Sequence, residues 1–149
     1  MLFPKSVRRN GLSAGFTLIE LVIVIVIVSI LAAVALPGFQ DAMRKGRRAD
    51  AREGLMDAAN RQERFMLDRS TYTDVMTNLG FGADPAISVE GHYSIDVEAP
   101  DPNCPIATCY NLTATPVAGG AQSDDSYCTS FTIKSTGAKT ATPAASECW

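Results

Sequence analysis

Residues 15–38 read GFTLIELVIVIVIVSILAAVALPG, and this stretch decides the fold. Phe16 to Leu36 is 21 residues, or about 31 Å as a helix at roughly 1.5 Å per residue. A bilayer hydrocarbon core is about 30 Å thick. From Leu21 to Leu36 only Ser29 is polar. The alternating valines and isoleucines could be read as a buried strand. A single strand in lipid leaves its backbone groups unpaired, whereas a helix satisfies its own. The stretch therefore reads as a transmembrane helix. An ordinary secretory signal has its small-residue cleavage site after a short apolar run. Here the polar, basic segment Met1–Gly15 runs straight into the apolar one, and such a site would have to fall near Ala33–Ala35, just before Pro37.

Glu20 is the most informative single residue. A carboxylate inside an apolar span is costly, about 2.5–3.5 kcal/mol on insertion scales for Asp at the centre and less near an interface. Either Glu20 reaches water at headgroup level, or it awaits a cation. Beyond the span, Pro37-Gly38 is expected to break or weaken the helix through a lost hydrogen bond and added backbone freedom. From Phe39 to about Arg69, Ala51, Leu55, Ala58, Ala59, Gln62, Phe65 and Met66 recur at spacings of mostly three and four. That pattern predicts an amphipathic continuation of the helix, with Asp57 and Arg61, and Arg64 and Asp68, at salt-bridge spacing.

Charge is segregated along the chain. Eight of the 13 basic residues lie between Arg44 and Arg69, whereas after Ser70 nine acidic residues face only Lys134 and Lys139, a balance of −7. Such a surface repels phosphate backbones, which makes DNA a disfavoured partner for the C-terminal part. The basic cluster could meet acidic lipid or DNA, but interleaved Asp41, Asp50, Glu53 and Asp57 favour a solvated or subunit-facing stripe. Charge counting alone mildly favours keeping the C-terminal part inside, because Arg44, Lys45, Arg47 and Arg48 outnumber the basic residues of Met1–Gly15; the four cysteines argue for the opposite orientation.

After Tyr72 the period changes to two. Residues 92–98, 110–115 and 128–134 read as antiparallel strands with one buried face each, carrying Tyr93, Ile95 and Val97, then Tyr110, Leu112 and Ala114, then Phe131 and Ile133. A short fourth strand fits at 138–142. All four cysteines lie in this polar half, and an even count in an exported domain reads as two disulfides in an oxidising compartment. Of the three pairings, Cys104–Cys109 with Cys128–Cys148 is preferred, since one closes a proline-containing loop and the other ties down the tail.

The run Gly15-Phe16-Thr17-Leu18-Ile19-Glu20-Leu21 resembles the processing site of type IV prepilins and related pseudopilins. The resemblance implies an α+β pilin fold: leader 1–15, filament-core helix 16–37, amphipathic helix 38–70 and antiparallel head 71–149. It implies cleavage between Gly15 and Phe16 by a prepilin peptidase, N-methylation of Phe16, and pairing of Glu20 with the amine of a neighbouring subunit. The implied location is the bacterial inner membrane, as a single-pass precursor with its head in the periplasm, and later an extracellular pilus. Implied partners are other pilin subunits in a helical filament and the pilus assembly machinery of the inner membrane. Arg61–Phe65, Tyr72-Thr73, Tyr110–Pro116, Asp125, Cys128, Gly137, Lys139 and Cys148-Trp149 are similar to PilE-type minor pilins, a group whose relatives include receptors for DNA during uptake. Cys104 and Cys109 are additional to that pattern.

No residue set suggests catalysis. His92 sits at a strand start as a surface residue, Asp124-Asp125 reads as a solvated turn, and Asn111-Leu112-Thr113 is a sequon inside a strand. No phosphate loop, dinucleotide signature or metal spacing occurs, so no enzyme, metal or cofactor is expected. The sequence reading is a structural pilus subunit, a minor pilin that primes or joins assembly and supports motility, adhesion or DNA uptake. The alternatives are a DNA-uptake receptor or a type II secretion pseudopilin.

Overall fold

The computed structural model describes residues 15–98, 102–144 and 147–149; the leader, apart from Gly15, lies outside the described residues. Secondary structure begins with helix α1 (Leu18–Arg69), followed by a 3-10 turn (Met76–Leu79) and strands β1 (Ala86–Ile87), β2 (Tyr93–Val97), β3 (Asn111–Pro116), β4 (Ser130–Lys134) and β5 (Lys139–Thr142). Two units are distinguished, Met1–Phe39 and Gln40–Trp149. Residues 40–69 of the helix thus fall in one unit with the strands.

In the first unit the apolar side chains from Leu18 to Leu36 stand exposed, and the helix is long and apolar enough to cross a membrane. The Ser29 hydroxyl donates to the Ile25 carbonyl at 2.6 Å, so the one polar side chain between Leu21 and Leu36 is satisfied within its own helix. The break expected at Pro37-Gly38 is absent: α1 is helical straight through both residues. Proline removes a single donor, and the hydrogen bonds on either side still propagate the helix.

In the second unit the strands form one antiparallel sheet in the order β1-β2-β3-β4-β5. Its register aligns Ile95 with Ala114, Ala114 with Phe131, and Phe131 with Ala141. Period-two alternation therefore puts Tyr93, Ile95, Val97, Leu112, Ala114, Phe131 and Ile133 on one buried face. From the helix, Ala51, Leu55, Ala58 and Gln62 are fully buried, while Ala59, Phe65 and Met66 are half-buried. Gly54 permits the close approach, since a Cβ there would overlap the Cδ1 of Ile95. Tyr93, Phe131 and Trp149 form two successive edge-to-face pairs with centroids 5.7 and 5.9 Å apart. The expected strands are all present, with ends shifted by at most two residues; β1 and the 3-10 turn were not expected.

Candidate functional site

Gly15, Phe16 and Thr17 precede the first helical turn, and Phe16 is 84% exposed. Thr17 is the N-cap. Its carbonyl accepts from the Leu21 amide at 3.2 Å and its Oγ1 from the Glu20 amide at 3.3 Å. Thr17-Leu18-Ile19-Glu20 thus has the capping-box spacing, with Glu20 in the first turn, where the helix dipole favours an anion. Among the described residues no cation is bonded to the Glu20 carboxylate. A carboxylate fixed at the head of an apolar helix and left without a partner is chemically suited to take a cation from another molecule.

A second polar centre lies within the head unit, and sequence reasoning missed it. Asp125 was expected in a solvated turn. Instead it is 2% exposed and accepts from Arg48 Nε at 2.7 Å and Nη2 at 2.9 Å. Gln122, also buried, donates from Nε2 to Asp125 Oδ2 at 2.7 Å and to the Arg44 carbonyl at 3.3 Å. Arg47 donates to the Ala121 carbonyl. These bonds fasten the β3–β4 connection to helix residues 44–48. Burial alone would push the Asp125 carboxyl up; the bonded Arg48 guanidinium outweighs it and holds the group below the usual carboxylate range. The bond to Asp125 raises Arg48 in turn. The signal was in the sequence: 48, 51, 55, 58 and 62 are spaced three and four apart, which puts Arg48 on the buried stripe.

Asp50 performs a similar task on β1–β2. Nearly buried, it accepts from the Ser88 hydroxyl at 2.6 Å and from the Glu90 and His92 amides at 3.1 and 3.2 Å. Farther along α1, Gln62 exchanges hydrogen bonds with the Thr73 backbone, and Glu63 accepts from the hydroxyls of Tyr72 and Tyr110. Burial, reinforced by the bond to Glu63, pushes the Tyr110 phenol up. Burial also lifts Tyr93, to about 12.

Both expected disulfides are present, Cys104–Cys109 and Cys128–Cys148. Asp57 pairs with Arg61 at 3.0 Å, whereas no bond joins Arg64 and Asp68 among the described residues. His92 lies just before β2, with its Nε2 3.8 Å from Glu90. Among the described residues no group of three or more His, Cys, Asp or Glu side chains could hold a metal.

A family model described as type IV minor pilin ComP, DNA uptake sequence receptor, matches residues 37–132, and the prokaryotic N-terminal methylation motif matches residues 12–36. The chain is 29% identical over 120 residues to the type IV major pilin protein PilA of Myxococcus xanthus, covering 80% of this chain and 53% of that protein. It is 39% identical over 92 residues to a type IV major pilin protein PilE1 of Neisseria gonorrhoeae, covering 60% and 53%. With the type IV wide pilus major component PilA4 of Thermus thermophilus it shares 40% identity over 75 residues, covering 48% and 57%. The chain thus spans about half the length of the relatives it matches. Among solved structures, a type IV pilin from Shewanella oneidensis aligns with TM-score 0.48 and 24% identity over 71% of this chain and 97% of that one.

Proposed function

The chain belongs to the type IV pilin family, and from that premise we propose that it is a structural subunit of a type IV pilus, a minor pilin that primes or joins filament assembly. A prepilin peptidase cuts between Gly15 and Phe16, the new amine of Phe16 is methylated, and the apolar helix holds the subunit in the inner membrane with its head in the periplasm. On assembly the apolar helices leave lipid by burying one another, and head-to-tail contacts that do not close produce a filament. Glu20 pairs with the Phe16 amine of a neighbour, which sets the axial register. Removing either charge leaves the other buried and unpaired. No catalytic role is assigned.

The observation that carries this reading is the N-terminal constellation. Gly15 and Phe16 precede a capped apolar helix whose first-turn carboxylate has no bonded partner among the described residues. Intact mass and peptide mapping of the protein in sheared filaments, beside the membrane fraction, tests it. A trace component that begins with methylated Phe16 and carries two disulfides is expected. An intact Met1 start, in cells with an active prepilin peptidase, overturns it; a dominant abundance makes this the major subunit.

A second reading, as a DNA receptor, is favoured by the description of the family whose model matches residues 37–132. The −7 balance after Ser70 opposes it. Mobility shift of short duplexes of varied sequence discriminates: sequence-selective retention by the full chain supports the receptor, and uniformly weak, salt-sensitive binding does not.

A further inference from the structure

The turn between β1 and β2 is clamped from two sides. Asp50, buried on α1, takes three donors from it: the Ser88 hydroxyl and the Glu90 and His92 amides. The turn also closes on itself, through the Gly91 amide to the Ser88 carbonyl and the Tyr93 amide to the Ser88 hydroxyl. What this clamp presents is Val89, 98% exposed, with Ile87 exposed two residues before it. A lone exposed valine is ordinary. One fixed in place by a buried carboxylate is preorganised, and preorganisation lowers the cost of ordering an interface. Glu90 extends beside it, with only the His92 ring nearby, at 3.8 Å.

The same helix offers a matching surface on its other flank. A Cβ at Gly54 would lie 3.7 Å from the Ser88 Cβ, so that position faces the turn. Met56, two residues on, is rotated about 200° round the helix and is exposed. Ala49, Arg52, Glu53 and Met56 have the i, i+3, i+4, i+7 spacing that outlines a hole for an apolar knob. Arg52 is half-buried at its edge and forms no ion pair among the described residues. We infer that the Val89 turn of one copy docks into the Ala49–Met56 hole of a second copy, with Glu90 meeting Arg52. The inference rests on the filament-subunit reading above. Knob and hole lie on opposite flanks of one helix, so the contact joins unlike surfaces and extends instead of closing. It needs only two adjacent copies, which suits a subunit that primes a filament. A lipid surface fits the apolar tip less well, because Glu90 and the −7 balance after Ser70 repel anionic headgroups.

The test uses two differently tagged full chains, Val89→Cys and Met56→Cys, co-expressed and treated in intact filaments with a short thiol-to-thiol cross-linker. The four native cysteines are paired and do not compete. A dimer carrying both tags is expected, with neither form linked to itself. A dimer of Val89→Cys with itself shows a two-fold contact and overturns the inference. Filaments that hold both forms without a cross-link overturn it too, as does linkage of Val89→Cys only to some other protein. In a second arm, Val89→Asp should lower incorporation about tenfold or more, with Phe16 processing and the thermal midpoint as in wild type. Incorporation equal to wild type overturns the contact. Glu90→Arg should also incorporate poorly and be rescued by Arg52→Glu; failure of that rescue overturns the charge pairing. Wild type that keeps Met1 or never enters filaments overturns the subunit reading itself, and the contact with it.

Discussion

Helix α1 contains two stretches of opposite character. From Leu18 to Leu36 nearly every side chain is apolar and exposed; from Gln40 to Arg69 most are polar, yet one stripe is fully buried. Among the described residues the first stretch finds no apolar partner within its own unit, and a solvent that cannot hydrogen-bond its backbone would favour the helix. The second is held by its own chain, through small residues at the closest approach and through charged groups satisfied inside the core. Hydrophobicity locates the first kind of helix but misplaces the binding residues of the second.

The sharpest way to break this contrast is Arg48→Ala. It strands the Asp125 carboxylate, and removing one partner of a buried pair costs about 3–5 kcal/mol. A large fall in the thermal midpoint of the full chain in detergent, followed by near-UV circular dichroism, is expected. A midpoint unchanged within a degree would show that the pair is not needed. Next in size is the loss of Cys128–Cys148 by paired serine substitution, about 3 kcal/mol from loop entropy, against about 2 kcal/mol for the shorter Cys104–Cys109 loop. Denaturant titration of the two variants should rank them in that order.

The pH dependence sharpens the contrast further, because it reports only the head. Asp125 has a lowered carboxyl pKa in the folded state, so its contribution is complete above about pH 4 and is lost as pH falls through the lowered folded value. Tyr93 has the opposite sign. Its folded value is raised to about 12 from 10, so stability is complete below pH 10 and is lost between pH 10 and 12. Thermal midpoints across the pH range should fall at both ends while the helicity of the apolar stretch persists. The smallest effect is expected for Val24→Ala, within about 0.5 kcal/mol for head stability. A larger shift in the same melting experiment would mean that the apolar stretch supports the head.

Much of this was legible in the sequence. The 21-residue apolar run was legible from its length and Tyr93-Ser94-Ile95-Asp96-Val97 from its period, whereas the processing motif was legible by resemblance. The two disulfides followed from loop closure and tail position. What was not legible were the polar residues of the core. Arg48, Asp50, Gln62 and Asp125 have the composition of a surface, and they become interior only because partners 11 to 77 residues away supply matching donors and acceptors. The helix through Pro37-Gly38 was misjudged for a related reason: propensity counts one missing donor, while the hydrogen bonds on both sides outvote it.

The grip of Asp50 on the β1–β2 connection also sets a timetable. Ser88, Glu90 and His92 lie 38 to 42 residues from that carboxylate, so the turn cannot take its final form by local closure. The Glu90 and His92 amides are therefore tied to the docking of helix on sheet. In hydrogen–deuterium exchange they should open together with that docking, as members of one cooperative unit, although the Ser88–Gly91 turn beside them is short enough to form and fray alone.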